Sequence, residues 1–281
     1  DESDVIVSQF DKDDVEAVGL VKFDFLGLSN LTVIDKAIKI IAKKGLSDGL
    51  IDIDKLSLDD PKVYKLLQDC DTTGVFQLES NGMRGYLKKL KADCFEDIVA
   101  MLALYRPGPL ESGMVDDYIQ VKHGARVRYP HEILEEILKP TNGVFIYQEQ
   151  VMKSAQVMAG YSLGGADILR RAMGKKKTEE MAEQREVFVK GASKKNIEKD
   201  KANEIFDLID KFSGYGFNKS HSVAYAYISY QTAWLKAHFP APFMAAVLSS
   251  VMDDTDRIAF TVGESKKKGV IFIAPDINQS E

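Results

Sequence analysis

The first strong pattern lies at residues 19–28, Gly-Leu-Val-Lys-Phe-Asp-Phe-Leu-Gly-Leu. Alternation puts Leu20, Lys22, Asp24 and Leu26 on one side and Val21, Phe23 and Phe25 on the other. That predicts a β-strand with one apolar and one mixed face. Ser29 or Asn30 then caps a helix whose apolar positions are Leu31, Ile34, Ile38 and Ile41, stopped by Lys43, Lys44 and Gly45. Residues 46–60 are rich in Asp and Gly and read as a loop. Pro61 suits a helix start, continued by Tyr64, Leu67 and Cys70. Residues 72–78 read as a short extended piece, followed by helices at 79–90, 95–105 and 110–121, with Arg106-Pro107-Gly108-Pro109 as a rigid break between the last two.

Further on, a helix near 131–138 ends at Pro140, and residues 143–147 read as a short strand or the start of a helix. Val151, Ala155 and Met158 mark one face of the next helix. Ser162 caps the helix that carries Arg170 and Arg171, and a charged helix or helix pair spans 178–198. Ile205, Leu208, Ile209 and Phe212 mark another amphipathic helix. Residues 221–239 are apolar on two stripes, which predicts a buried helix ended by Pro240 and Pro242. Helices at 243–251 and 254–268 complete the series. The expected fold is mainly α, a helical domain preceded by a short β-strand segment belonging to another domain.

Composition changes this picture little. The 281 residues are 45% apolar and 28% charged, ordinary for a globular chain, and no run of residues reaches membrane-span length. The start, DESDVIVSQF, lacks the basic and apolar parts of a signal peptide, and two cysteines make no disulfide framework, so a reducing cytoplasm is expected. Charge is more informative. The net charge is −6, yet residues 1–60 hold 14 acidic and 7 basic side chains, while residues 166–201 hold 11 basic and 7 acidic. A phosphate-binding face is therefore compatible with global acidity, because polyanion affinity follows the local field. Lys175-Lys176-Lys177 reads equally as a solvated loop; Arg170-Arg171, closing an apolar helix, is harder to dismiss.

Two places could carry chemistry. Asp24, between Phe23 and Phe25 and two residues from Lys22, is either a lysine–aspartate pair at a sheet edge or a metal-ligating carboxylate beside a phosphate-neutralising lysine. The stretch Ser213-Gly214-Tyr215-Gly216-Phe217-Asn218-Lys219-Ser220-His221-Ser222 joins aromatic faces and donors just ahead of a long helix. It is either a capped turn or a nucleotide-binding surface. Arg106 is aimed by the following proline and serves either to cap helix carbonyls or to reach a ligand. Tyr147-Gln148-Glu149-Gln150 favours internal hydrogen bonds over contact with a nucleic acid. Asp52-Ile53-Asp54 reads as a solvated acidic turn, and the four histidines and two cysteines show no metal-ligand spacing.

At these residues a resemblance becomes visible. The blocks VGLVKFDFLGL, GVFQLES, ALYRPGP, YQEQVM, SLGGADILRRAMGKKK, GYGFNKSHS and SYQTAWLKAHFPAPFMAA follow one another in an order that resembles the C-family replicative DNA polymerases, the bacterial DNA polymerase III alpha subunits. The resemblance implies a palm edge at 1–30, a helical fingers domain at 31–250, and at 251–281 the end of the fingers leading to the next domain. It implies that Asp24 is the third catalytic aspartate of a site for two Mg2+ ions. Nucleotide contacts would fall to Lys22, Arg170, Arg171, Tyr215, Asn218, Lys219 and His221, and DNA contacts to Arg106, Lys175, Lys176 and Lys177. Expected partners are primer–template DNA, dNTP and, through the full-length protein, a sliding clamp and other replicase subunits, with no membrane. The family's Asp-x-Asp pair is absent from this sequence, so the chain by itself is expected to be inactive. Two other readings remain at this point: a non-catalytic nucleic-acid-binding module, and a helical interaction scaffold built on residues 221–239.

Overall fold

The computed structural model describes residues 6–25, 27–175, 178–212, 214–274 and 276–278. Fifteen α-helices dominate them: α1 (Lys12–Ala17), α2 (Ser29–Lys43), α3 (Pro61–Gln68), α4 (Asn81–Leu90), α5 (Phe95–Leu104), α6 (Pro107–Glu111), α7 (Met114–Lys122), α8 (Glu135–Leu138), α9 (Gln148–Ala159), α10 (Leu163–Lys175), α11 (Thr178–Ser193), α12 (Lys199–Phe212), α13 (Lys219–His238), α14 (Pro240–Leu248) and α15 (Thr255–Lys267). The mainly α architecture is as expected. The strand ahead of it is not found: residues 20–25 join no strand ladder among the described residues, and Val21, Phe23 and Phe25 are exposed. An isolated strand has no ladder to satisfy its backbone, so alternation alone does not make one.

Three apolar cores organise the helices. The first gathers α3, α4, α5 and α7 around Ala226, Tyr230 and Ala233 of α13. The second is built by α9 to α12 with Leu134, Leu138 and Phe145. The third sets α2 against α14 and Leu235. Helix α13 thus lies between the first and third cores, in keeping with its two apolar stripes. Tyr230 is fully buried, and its hydroxyl donates to Ser57 O (2.8 Å) and accepts from Asp60 N (3.0 Å). Where α9 crosses α11, Gly191 has no room for a side chain: a Cβ there would overlap the Ala159 carbonyl.

Residues 72–78 depart from the expected extended form. They make a compact buried loop, because α13 supplies their hydrogen-bond partners. Thr232 Oγ1 accepts from Phe76 N (3.1 Å), Ser229 Oγ donates to Phe76 O (2.9 Å), and Lys236 Nζ donates to Thr73 O (3.0 Å) and to the Asp71 carboxylate (2.7 Å). Polar residues on an otherwise apolar helix therefore replace a sheet partner. The prolines also act differently from simple breakers. Pro107 and Pro240 occupy the first turns of α6 and α14, where a missing N–H costs nothing. Residues 143–147 lead into α9, whose N-cap is Tyr147, so the helix-start alternative holds; of the strand alternative one bridging residue remains, described below.

Asp60 links two elements: its side chain caps α3 through Lys62 N (2.8 Å), and it holds His238 Nε2 at 2.7 Å. Burial alone would raise this carboxyl, but the His238 hydrogen bond and the Lys62 amide outweigh it, leaving it below the ordinary carboxylate range. The resulting stability is present above the unfolded-state value of about 3.9 and is lost as pH falls through the lowered one. Urea unfolding of wild type and Asp60→Asn should therefore show a stability gap at pH 5 that narrows by pH 3. A gap of constant size would contradict this assignment.

Candidate functional site

The turn at 214–221 is built where the first two cores meet. Tyr215 N and Gly216 N donate to Phe212 O, closing α12. Phe217 N donates to Ile146 O (3.0 Å) and Gln148 N to Phe217 O (2.9 Å), making a parallel bridge between Tyr147 and Phe217. Asn218 Oδ1 accepts from His221 N (2.8 Å) and caps α13. Lys219 N donates to both carboxylate oxygens of Glu149 (3.0 and 3.1 Å), and Gln148 Nε2 donates to Gly216 O (3.2 Å). Gln150 reaches the other way, accepting from Ile146 N and Tyr147 N and donating to Thr141 Oγ1. The Tyr147–Gln150 segment is thus an internal anchor.

Arg106 is the second anchor. Its Nε donates to Ala103 O (2.8 Å) and its Nη2 to Tyr215 O (2.5 Å), with the guanidinium 4.5 Å from the Phe217 ring centre. Burial pushes its pKa down. Below the Tyr215 ring lies Gly108, where a Cβ would collide with the ring. From Phe217 a row of rings continues: His221 at 5.5 Å, Tyr225 at 4.2 Å from His221, and Phe76 at 5.2 Å from Tyr225. Asn218, Lys219 and His221 stay exposed and Tyr215 is half-exposed, so the turn offers an aromatic face, an ammonium and an imidazole to solvent. Helix geometry could have suggested Tyr225, since it follows His221 by four residues. Nothing in the local sequence links either to Phe76.

The remaining candidates sit apart from this turn. Arg170 and Arg171 flank Asp167: Arg170 Nε and Nη2 reach Asp167 Oδ1 at 2.9 Å and Arg171 Nη2 reaches Oδ2 at 2.8 Å. The Arg170 hydrogen bond, together with both arginine charges, lowers the Asp167 pKa. Arg171 remains 67% exposed, with most of its surface free for an anion. Lys175 ends α10, while Lys176 and Lys177 lie outside the described residues. Lys22 Nζ lies 3.1 Å from Asp24 Oδ2, and that hydrogen bond raises the Lys22 pKa. The Asp24 side chain is 80% exposed. Among the described residues, no hydrogen bond, ion pair or ring contact joins Asp24, Lys22, Arg170 or Arg171 to the turn.

The acidic turn Asp52-Ile53-Asp54 has a structural use. Asp52 pairs with Lys55 at 2.7 Å, and Asp54 accepts from Gln231. The one group of three potential metal ligands among the described residues is Asp93, Cys94 and Asp97. Lys122 Nζ already occupies it, 2.8 Å from each carboxylate. Burial raises the Cys94 thiol to about 11 and also raises Cys70, so neither is a ready nucleophile.

The family model described as the bacterial DNA polymerase III alpha subunit finger domain matches residues 30–196. The chain belongs to that family. The match takes in Arg106, Arg170 and Arg171. Similarity to DNA polymerase III subunit alpha extends over nearly the whole chain. It is 60% identical to the Pseudomonas aeruginosa protein over 98% of this chain, 58% to that of Haemophilus influenzae over 97%, and 56% to that of Escherichia coli K12 over 97%. In each case the chain covers 24% of the relative, so it spans about a quarter of the length of these DNA polymerase III alpha subunits. No helix among the described residues is long and apolar enough to cross a membrane.

Proposed function

We propose that this chain is the palm edge and fingers of a replicative DNA polymerase, whose full-length parent adds deoxynucleotides to a primer 3′ end under template direction. The observation that carries the reading is the turn 214–221. It is fixed from two sides, yet it presents Tyr215, Asn218, Lys219 and His221 outward at the start of α13. Such a surface suits a nucleotide: an aromatic face packs against base or sugar, and donors and cations face phosphate. In the proposed domain division, residues 1–30 are the palm edge, 31–250 the fingers and 251–281 the lead into the next domain. In support, the buried apolar residues run from Val33 to Val247.

In this reading Lys22, Arg170 and Arg171 neutralise the triphosphate, and Lys175, Lys176 and Lys177 face DNA. Phosphoryl transfer depends on in-line placement and charge neutralisation, and bound Mg2+ supplies the Lewis acidity at the reacting oxygens. Asp24 suits one ligand position, being an exposed carboxylate with a single lysine partner. One carboxylate does not complete a magnesium site, so the other ligands would come from the rest of the parent. Primer–template DNA, dNTP, a sliding clamp and other replicase subunits are the proposed partners, in the cytoplasm.

The test is Arg171→Ala in the full-length parent. The KM for dNTP should rise about ten- to a hundredfold, the loss expected for one charge-assisted contact of roughly 1.5–3 kcal/mol. Thermal stability should hardly change, because the side chain is largely exposed. An unchanged KM would remove Arg171 from the nucleotide site.

A further inference from the structure

The sequence leaves two roles open for Arg106, and the resemblance assigns it to DNA. The bond from Arg106 Nε to Ala103 O, in the last turn of α5, is the helix-carbonyl cap that the sequence allows. The geometry points to a further role: we propose that Arg106, with Gly108, forms a socket that sets Tyr215 and the turn behind it, so that Arg106 is a positioning residue for nucleotide binding and not a contact to DNA phosphate. This rests on the reading of 214–221 as the nucleotide surface.

The case begins with the backbone. Arg106 is extended (φ −146°, ψ 154°) because Pro107 follows it, and α6 starts at that proline. Its side chain is thereby aimed away from α6 and across to the turn. Two of its five N–H groups are committed to carbonyls, one at the end of α5 and one at Tyr215, 109 residues along the chain. Its planar face is committed as well, to Phe217. A guanidinium used on an edge and a face at once, and half-buried, is poorly placed to collect a phosphate. The same tripeptide supports the ring from below: Gly108 lets the Tyr215 ring lie against the backbone, where any Cβ would lift it. Arg106 therefore holds the Tyr215 carbonyl while Gly108 seats its ring. Through Phe217, the same contact fixes the first member of the row that leads to His221 and Tyr225.

The experiment uses the full-length parent and four variants: Arg106→Gln, Arg106→Lys, Gly108→Ala and His221→Ala. Circular dichroism and the thermal midpoint identify any variant that fails to fold. If the Arg106 variants fail, Gly108→Ala carries the test, since it leaves the guanidinium intact. The expected result for Arg106→Gln and Gly108→Ala is a KM for dNTP raised about tenfold, with primer–template affinity unchanged. The slope of log affinity against log salt should also be unchanged. Arg106→Lys should not restore KM, because an ammonium cannot bridge two carbonyls and stack on a ring together. A DNA-phosphate role predicts the reverse: KM unmoved and the salt slope smaller by about 0.9. That result overturns the proposal, as does full recovery with lysine. His221→Ala separates the two layers. If it raises KM while Arg106→Gln and Gly108→Ala do not, the socket is wrong and the nucleotide surface stands. If none of the variants moves KM, the nucleotide reading of the turn fails and the socket falls with it.

Discussion

Primer extension by the full-length parent should fall about a thousandfold on Asp24→Asn, the size expected when several kcal/mol of metal-mediated charge stabilisation is removed. The magnitude follows from chemistry and not from folding. The Asp24 side chain is 80% exposed and its one ion pair among the described residues is with Lys22, so the substitution removes no buried contact. Exposed pairs of this kind contribute little to stability. Primer–template binding and the thermal midpoint should therefore match wild type, and the loss should appear in kcat. The 281-residue chain by itself should extend no primer, because in the proposed reading it offers only one of the carboxylates that the metal site needs. Retained extension by Asp24→Asn would take this residue out of the chemistry, and extension by the isolated chain would show that the rest of the site is dispensable.

The largest effect on stability is expected at Lys122, which takes no part in the proposed chemistry. Lys122 bonds to Asp93 and to Asp97, and the Asp97 side chain is 2% exposed. Asp97 also accepts from Tyr118 OH (3.1 Å) and from Asp93 N (3.0 Å), so the lysine joins α7 to the start of α5. Burial would lower the Lys122 pKa, but the hydrogen bonds to Asp93 and Asp97 outweigh it and raise it. Lys122→Ala leaves Asp97 as an uncompensated buried carboxylate, a change that costs about 3 kcal/mol or more. For a domain of this size each kcal/mol moves the midpoint by roughly 2–4 °C, so thermal unfolding of the 281-residue chain should shift down by about 6–12 °C. A shift below about 2 °C would mean that Asp97 finds another partner or water.

How far the sequence could be read depended on where each element finds its partners. Helix α3 carries its own signal, because spacing, the Asp60 cap and Pro61 lie within one segment. In α2 the spacing alone is the signal: Ser29 and Asn30, expected as caps, lie inside the helix, and the residue at the cap position, Leu28, has no side-chain bond to give. Residues 20–25 show strand alternation, but a strand is defined by a neighbour, and this chain supplies none among its described residues. The loop at 72–78 was misread for the converse reason: its partners are Ser229, Thr232 and Lys236, more than 150 positions away. At the turn, local chemistry gives a capped turn with exposed donors but puts the cap at Ser220 or Ser222; the structure moves it to Asn218, because α13 already starts at Lys219. Glu149 on Lys219 N and Arg106 on Tyr215 O were not legible, since no periodicity relates residues 70 and 109 positions apart. Asp167 could have been suspected, because it precedes Arg170 and Arg171 by three and four positions on one helix.

Those same separations bear on the order in which the molecule assembles. The second core is made largely of sequence neighbours, whereas the first and third bring α13 and α14 back onto the early helices, and the bonds that hold the turn close loops of 68, 70 and 109 residues. Loop closure on that scale is entropically costly until the flanking helices are in place. The turn therefore becomes native only once α5, α9 and α13 have docked. A molecule that grips it binds only a chain whose cores have already docked, and at a hundred times its Kd it adds about 2.7 kcal/mol to the stability of the whole assembly. Occupancy of one exposed corner would thus be registered by amide protection in helices that never touch the ligand.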